Sequence, residues 1–139
     1  MKWIYDDGGR SGSKFTGKTG DCGVRAIAIA TNQDYEDVYY ELWDVMARVA
    51  TKREKTTSPR NGVTRKAMRA YMEEYGSIWV PTMGVGTGCT VHMRDKELPD
   101  GRIIVSLSKH YAAVVDGVLR DTYDCTREGT RCVYGYWKL

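Results

Sequence analysis

Between Val24 and Ala30 the chain offers almost nothing for water to hold. Val24, Ala26, Ile27, Ala28, Ile29 and Ala30 surround a single charge, Arg25. A helix through this stretch has no polar face, so it must be enclosed on all sides. That requirement constrains the fold more than any other feature. The alanines let neighbouring elements approach closely. Asp21 stands where an N-cap belongs, its carboxylate able to accept from the free amides of the first turn, with Cys22 starting the helix. Arg25 is expected to pair with an internal carboxylate for structure. A chain of 139 residues is long enough to enclose such a helix. A chain of this length buries roughly 68–70% of its unfolded surface, and the whole of 1–139 reads as one domain.

The remaining elements follow from periodicity. Tyr35, Val38, Tyr39, Leu42, Trp43, Val45, Met46 and Val49 repeat at helical spacing after a cap at Asp34. Residues 51–62 are polar, carry Pro59 and Asn61-Gly62, and read as a loop. Val63, Ala67, Met68, Tyr71, Met72 and Tyr75 mark a third helix, with Thr64 as cap and Gly76 to end it. After Gly76 the pattern turns to strands: 77–80 stopped by Pro81, 102–107, 111–115, 118–123 and 132–137. Asp116-Gly117 is a strong hairpin signal between two of them. Helices first and strands second make an α+β domain, with a buried central helix packed on a C-terminal antiparallel sheet. Residues 1–19, rich in Gly, Ser, Thr and Lys, are expected to form an irregular arm.

Composition removes several classes. The chain is 42% hydrophobic and 28% charged, which argues against disorder. No apolar run approaches the roughly 20 residues of a bilayer span, and no signal-like h-region opens the sequence. The expected compartment is therefore the cytoplasm, with no membrane partner. A net charge of +3 does not demand a nucleic acid. The basic run from Lys52 to Arg69 (including Arg53, Lys55, Arg60, Arg65 and Lys66) reads as a solvated loop and helix face. Of the four cysteines, Cys22, Cys89, Cys125 and Cys132, no two form a C-x-x-C pair, and all are expected as free thiols. A contact between Cys125 and Cys132 across a hairpin stays open. Cys89 and His92 do not close a metal site, and His92 is given no catalytic role.

One constellation carries chemistry. Cys22 begins the buried helix, where free amides and a partial positive charge favour thiolate. His110 lies between two strands, and Asp121 lies on the strand that the Asp116-Gly117 turn folds back toward it. An imidazole can take the thiol proton, and a carboxylate can orient the imidazole. Asp116 is explained by its turn. Asp121 interrupts a strand between Leu119 and Tyr123 and needs a partner, so its carboxylate is expected within hydrogen-bonding distance of His110, with Asp116 facing solvent.

Gly20-Asp21-Cys22-Gly23-Val24-Arg25-Ala26, then Lys109-His110-Tyr111-Ala112-Ala113-Val114-Val115-Asp116-Gly117 and Asp121, resembles the papain-like cysteine peptidase superfamily. The similarity is to its small bacterial and phage-encoded members, which share a layout with bacteriocin-leader peptidases and cell-wall amidases. The resemblance implies a thiol hydrolase with Cys22 as nucleophile, His110 as base and then acid, and Asp121 as orienter. It implies cleavage of an amide or isopeptide bond through a thioester, without organic cofactor or metal. Its substrate would be a protein or peptide, and for a phage protein a host protein in the host cytoplasm. Such enzymes often place a Gln shortly before the Cys as oxyanion donor. Residues 15–20 here have none, which leaves Lys18, Thr19 and the backbone amide of Cys22 as candidates. The missing Gln also suits a catalytically silent papain-like module that binds and inhibits a host factor.

Overall fold

The computed structural model describes residues 1–17, 19–53 and 57–139. Among the described residues the order is β1 (Trp3–Tyr5), a short 3-10 turn (Arg10–Gly12), α1 (Cys22–Thr31), α2 (Tyr35–Val49), a second 3-10 turn (Pro59–Asn61), α3 (Arg65–Tyr75), β2 (Ile78–Pro81), β3 (Arg102–Leu107), β4 (His110–Val115), β5 (Val118–Asp121) and β6 (Gly135–Lys138). The fold is α+β: three helices on a six-stranded sheet of order β1-β5-β4-β3-β6-β2. No helix among the described residues is long and apolar enough to cross a membrane.

α1 is enclosed, as its composition requires. Every residue from Gly23 to Ala30 is buried, Arg25 included. It packs on β4 and β3, with α2 against its other side. Ile104, Tyr111, Ala113 and Trp137 meet the three helices in one core. Ile103, Val105, Ala112, Val114 and Leu119 point the other way, into a second core closed by Met93, Cys125 and Val133 from irregular segments. The sheet is therefore buried on both faces, which explains why β3 and β4 read as continuous apolar runs rather than alternating ones.

α2 is capped by Asp34, whose carboxylate accepts from the Glu36 and Asp37 amides. Thr64 caps α3 through the Ala67 amide, and Gly76 ends it in the left-handed region. The β4–β5 hairpin pairs Val115 with Val118 across Asp116 (φ 49°) and Gly117 (φ 76°). Two consecutive positive φ values are the signature of the two-residue turn that Asp-Gly favours.

The sheet departs from the antiparallel expectation. β1 pairs with β5 in parallel, Trp3 opposite Leu119 and Tyr5 opposite Asp121, so the sheet is mixed. The N-terminal segment is accordingly not an irregular arm throughout. Its first residues complete a sheet edge, the Trp3 indole donates to the Asp121 carbonyl at 3.0 Å, and Gly8 (φ 69°) lies close against the Arg25 backbone of α1. Strand boundaries also move, and β5 ends at Asp121 rather than at 123. Pro81 is the last residue of β2 rather than its stop, at a sheet edge where a missing N–H costs little. β6 begins at Gly135, and Cys132 makes only an isolated bridge with His92.

Cys89 and Cys132 are joined by a disulfide with Cα atoms 5.8 Å apart, correcting the expectation of four free thiols. Sequence spacing gave no hint of it, because a chain separation of 43 is closed only through the folded sheet. Cys125 stays free and buried, so it does not pair with Cys132.

β6 crosses β2 where a side chain has no room. A Cβ at Gly135 would fall within the Trp79 ring and against the Val80 carbonyl. Gly135→Ala should therefore lower stability by about 1–3 kcal/mol, the usual cost of overpacking. Gly12→Ala, where nothing lies within 4 Å, should be near neutral. Urea midpoints of the two variants measure the difference.

Candidate active site

α1 and the β4–β5 hairpin place the three sequence-selected residues at one end of the sheet. Cys22 is the first residue of α1, His110 the first of β4 and Asp121 the last of β5. The Ala113–Arg120 pair puts Asp121 one step further along, diagonal to His110. The Asp121 Oδ2 lies 2.6 Å from His110 Nε2, and both groups are buried. Asp116 is exposed, and its Oδ1 accepts from the Gly101 amide at 2.8 Å. The distinction drawn between the two carboxylates therefore holds in the geometry. His110 belongs to β4 itself rather than to the turn before it, because Ser108 and Lys109 (φ 55°) alone make the tight β3–β4 connection.

Cys22 is half-buried. Burial pushes its thiol pKa up, but hydrogen bonding to His110, the charge of that ring, the Tyr111 amide and Arg25 together outweigh it and leave the pKa below its ordinary value of 9.0. Burial likewise opposes the His110 cation. Hydrogen bonds to Asp121, Cys125 and Cys22 override it and raise the imidazole to about 11. Desolvation would raise Asp121, but His110, Arg25 and the Thr122 amide lower it on balance. All three shifts favour a thiolate–imidazolium pair backed by a carboxylate. With Nε2 facing Asp121, Nδ1 is the ring nitrogen left to exchange a proton with sulfur. The exposed Tyr123 ring leans on His110, centroids 5.3 Å apart.

Asp21 does not cap α1. Its backbone is not extended and its side chain makes no cap bond. Fully buried, the carboxylate instead accepts from Arg10 Nη1 at 2.9 Å, Arg25 Nε at 2.9 Å and the Tyr35 hydroxyl at 2.6 Å. A carboxylate with no access to water takes charged donors over amides when the fold supplies them. The consequence is useful beside Cys22. The negative charge is neutralised by two guanidiniums, and the first-turn amides of α1 keep no intrahelical acceptor. Arg25 then donates through Nη1 to Asp121 Oδ1 at 2.7 Å and to Thr122 Oγ1 at 3.0 Å. One buried network thus runs Arg10–Asp21–Arg25–Asp121–His110. Sequence reading anticipated an internal carboxylate for Arg25 but not that it would be Asp121. Arg10 and Tyr35 carried no signal at all, since both enter through contacts between distant segments.

The oxyanion candidates separate. The Thr19 hydroxyl is spent on the Arg60 carbonyl at 2.6 Å, tying the segment before Cys22 to the second 3-10 turn, so its side chain is not free to donate. Lys18 lies outside the described residues. The Cys22 amide remains, at the exposed end of the α1 dipole. His92 sits elsewhere, with Nδ1 3.2 Å from Glu97 Oε1.

His110, Asp121 and Cys125 offer a nitrogen, an oxygen and a sulfur within 4.8 Å of one another, a donor set that could hold a metal ion. Both Asp121 oxygens are already committed, however, one to Arg25 and one to His110. The guanidinium would have to be displaced first. The basic run also divides. Arg60 donates to the Thr16 carbonyl and Arg65 lies over the Tyr134 ring, so it is not a uniformly solvated face. Lys55 lies outside the described residues. Compared with protein-family models, curated proteins and solved structures, the chain matches none.

Proposed function

We propose that this chain is a papain-like thiol hydrolase acting on an amide or isopeptide bond of a protein or peptide. The supporting observation is His110 Nε2 held 2.6 Å from Asp121, with Cys22 at the start of the buried helix near enough for His110 to lower its thiol pKa. The Cys22 thiolate attacks the carbonyl carbon, and the Cys22 amide receives the developing negative charge. His110 Nδ1 gives its proton to the departing amine as the C–N bond breaks, leaving a thioester. His110 then takes a proton from water, whose oxygen attacks the thioester. The C–S bond breaks and the carboxylate product leaves. Asp121 and Arg25 hold the ring in the orientation both steps need.

A second reading rests on the commitment of Thr19 to Arg60. With one candidate oxyanion donor removed, the same core would serve as a catalytically silent module that binds and inhibits a host factor. Iodoacetamide at neutral pH, read by peptide mass spectrometry, tests the first reading. Cys22 should be alkylated faster than N-acetylcysteine under the same conditions; a rate no faster removes the activated thiolate and with it the hydrolase. Full biological activity of a Cys22→Ala variant would favour the binding module.

A further inference from the structure

A cavity of about 470 Å³ lies between α3 and the β2–β6 side of the sheet. Its walls are the rings of Trp79, Tyr111, Tyr134 and Trp137, and its rim is Arg65 and Arg69. The two arginines stand one helical turn apart on α3, so they share a face. Among the described residues neither forms an ion pair. Arg65 is nevertheless placed, its guanidinium 5.7 Å from the centre of the Tyr134 ring. At the floor, Trp137 is 5% exposed and its Nε1 is buried without a hydrogen-bond partner among the described residues.

The cavity adjoins Cys22 through one residue. Tyr111 belongs to the core that Cys22 packs against, and it also lines the cavity. Burial raises the Tyr111 hydroxyl pKa, Arg65 pulls it back and Cys22 pushes it up, so that hydroxyl senses both ends of the site. Unpaired planar guanidiniums suit a carboxylate, which they can bind through parallel hydrogen bonds. Aromatic walls (the Trp79 and Trp137 rings are tilted 49° to each other, centroids 4.5 Å apart) suit an aromatic or bulky apolar side chain. A nucleic acid would need a longer basic track, and Arg60 is already turned inward to Thr16.

We propose that this cavity receives an acidic peptide segment, with an aromatic or bulky apolar side chain packed against the rings and a neighbouring carboxylate on the Arg65–Arg69 pair. The hydrolase reading gives the fate of that peptide, but its binding stands on the cavity alone. The test uses full-length Cys22→Ala protein, which binds without turnover, and follows tryptophan fluorescence. The probes are four blocked peptides: acetyl-Gly-Phe-Glu-Gly-amide and its counterparts with Gln or Lys for Glu, or with Ala for Phe. The Phe-Glu peptide should bind about tenfold or more tighter than Phe-Gln, the effect of one good charge-assisted contact. Phe-Lys and Ala-Glu should both bind more weakly than Phe-Glu. Arg65→Gln with Arg69→Gln, both exposed positions, should bring Phe-Glu down to the level of Phe-Gln. Equal affinity for Glu and Gln overturns the proposal, as does tighter binding of a short oligothymidylate than of Phe-Glu. If Phe-Glu binds as expected while wild-type Cys22 proves unreactive to iodoacetamide, the cavity assignment is supported and the hydrolase reading alone falls.

Discussion

Replacing His110 by alanine should raise the pH at which Cys22 reacts. In the intact protein His110, through hydrogen bond and charge, makes the largest contribution to the pull that, with the Tyr111 amide and Arg25, outweighs the opposing push of burial. Without the ring, burial is the strongest single influence left, and the alkylation midpoint should move upward toward the ordinary 9.0. A thiol of that pKa is only about 1% ionised at neutral pH. The iodoacetamide rate there should fall by on the order of 10- to 100-fold, with circular dichroism unchanged. A midpoint that stays in place would show that something other than His110 ionises Cys22.

The same shifts give stability a pH signature. The His110 pKa is raised from 6.5 to about 11 on folding, so its contribution is full below 6.5 and is lost as pH rises through about 11. The Cys22 pKa is lowered, so its contribution grows as pH rises toward 9.0 and offsets part of that loss. Wild-type stability should therefore decline mainly between 9.0 and about 11, and His110→Ala should lack that decline. Urea titrations across the range measure it.

Arg25→Met should be the most damaging substitution to the fold. Arg25 joins two buried carboxylates, Asp21 at 2.9 Å and Asp121 at 2.7 Å. Methionine fills much of the space but leaves both with one cationic partner fewer. Removing one member of a buried ionic network typically costs about 3–5 kcal/mol, a large share of the 5–15 kcal/mol that holds a domain together. Arg25→Lys should recover part of this, because a single ammonium cannot reproduce the two-way fork. Urea denaturation at neutral pH measures both, and a loss under about 1 kcal/mol for Arg25→Met would refute coupling through Arg25. The network also changes what an Asp121 substitution reports. Asp121→Ala would disturb Arg25 as well as His110, so Asp121→Asn, with alkylation and stability read side by side, is the cleaner probe of orientation.

The His110–Asp121 pair was legible because its spacing is local. The Asp116-Gly117 turn fixes the β4–β5 register, and that register alone brings Asp121 diagonal to His110. Strand β1 was not legible. Three residues carry too little periodicity to show, and only the exposed edge of β5 makes them a strand. Asp21 misled for a related reason. Its position before an apolar run is that of a cap, and nothing nearby in sequence announces that Arg10 and Tyr35 will claim the carboxylate.

The sequence by itself determined that α1 would be enclosed, where α2 and α3 would begin, and which end of the hairpin His110 and Asp121 would share. Each depends on periodicity, caps or a two-residue turn, interactions that close within a few residues. Tertiary structure alone decided the parallel edge strand, the Cys89–Cys132 bond, the loss of Thr19 to Arg60 and the cavity rimmed by Arg65 and Arg69. Those depend on groups tens of residues apart, and their pairing is settled by which buried charges and sheet edges are left unsatisfied once the core has closed.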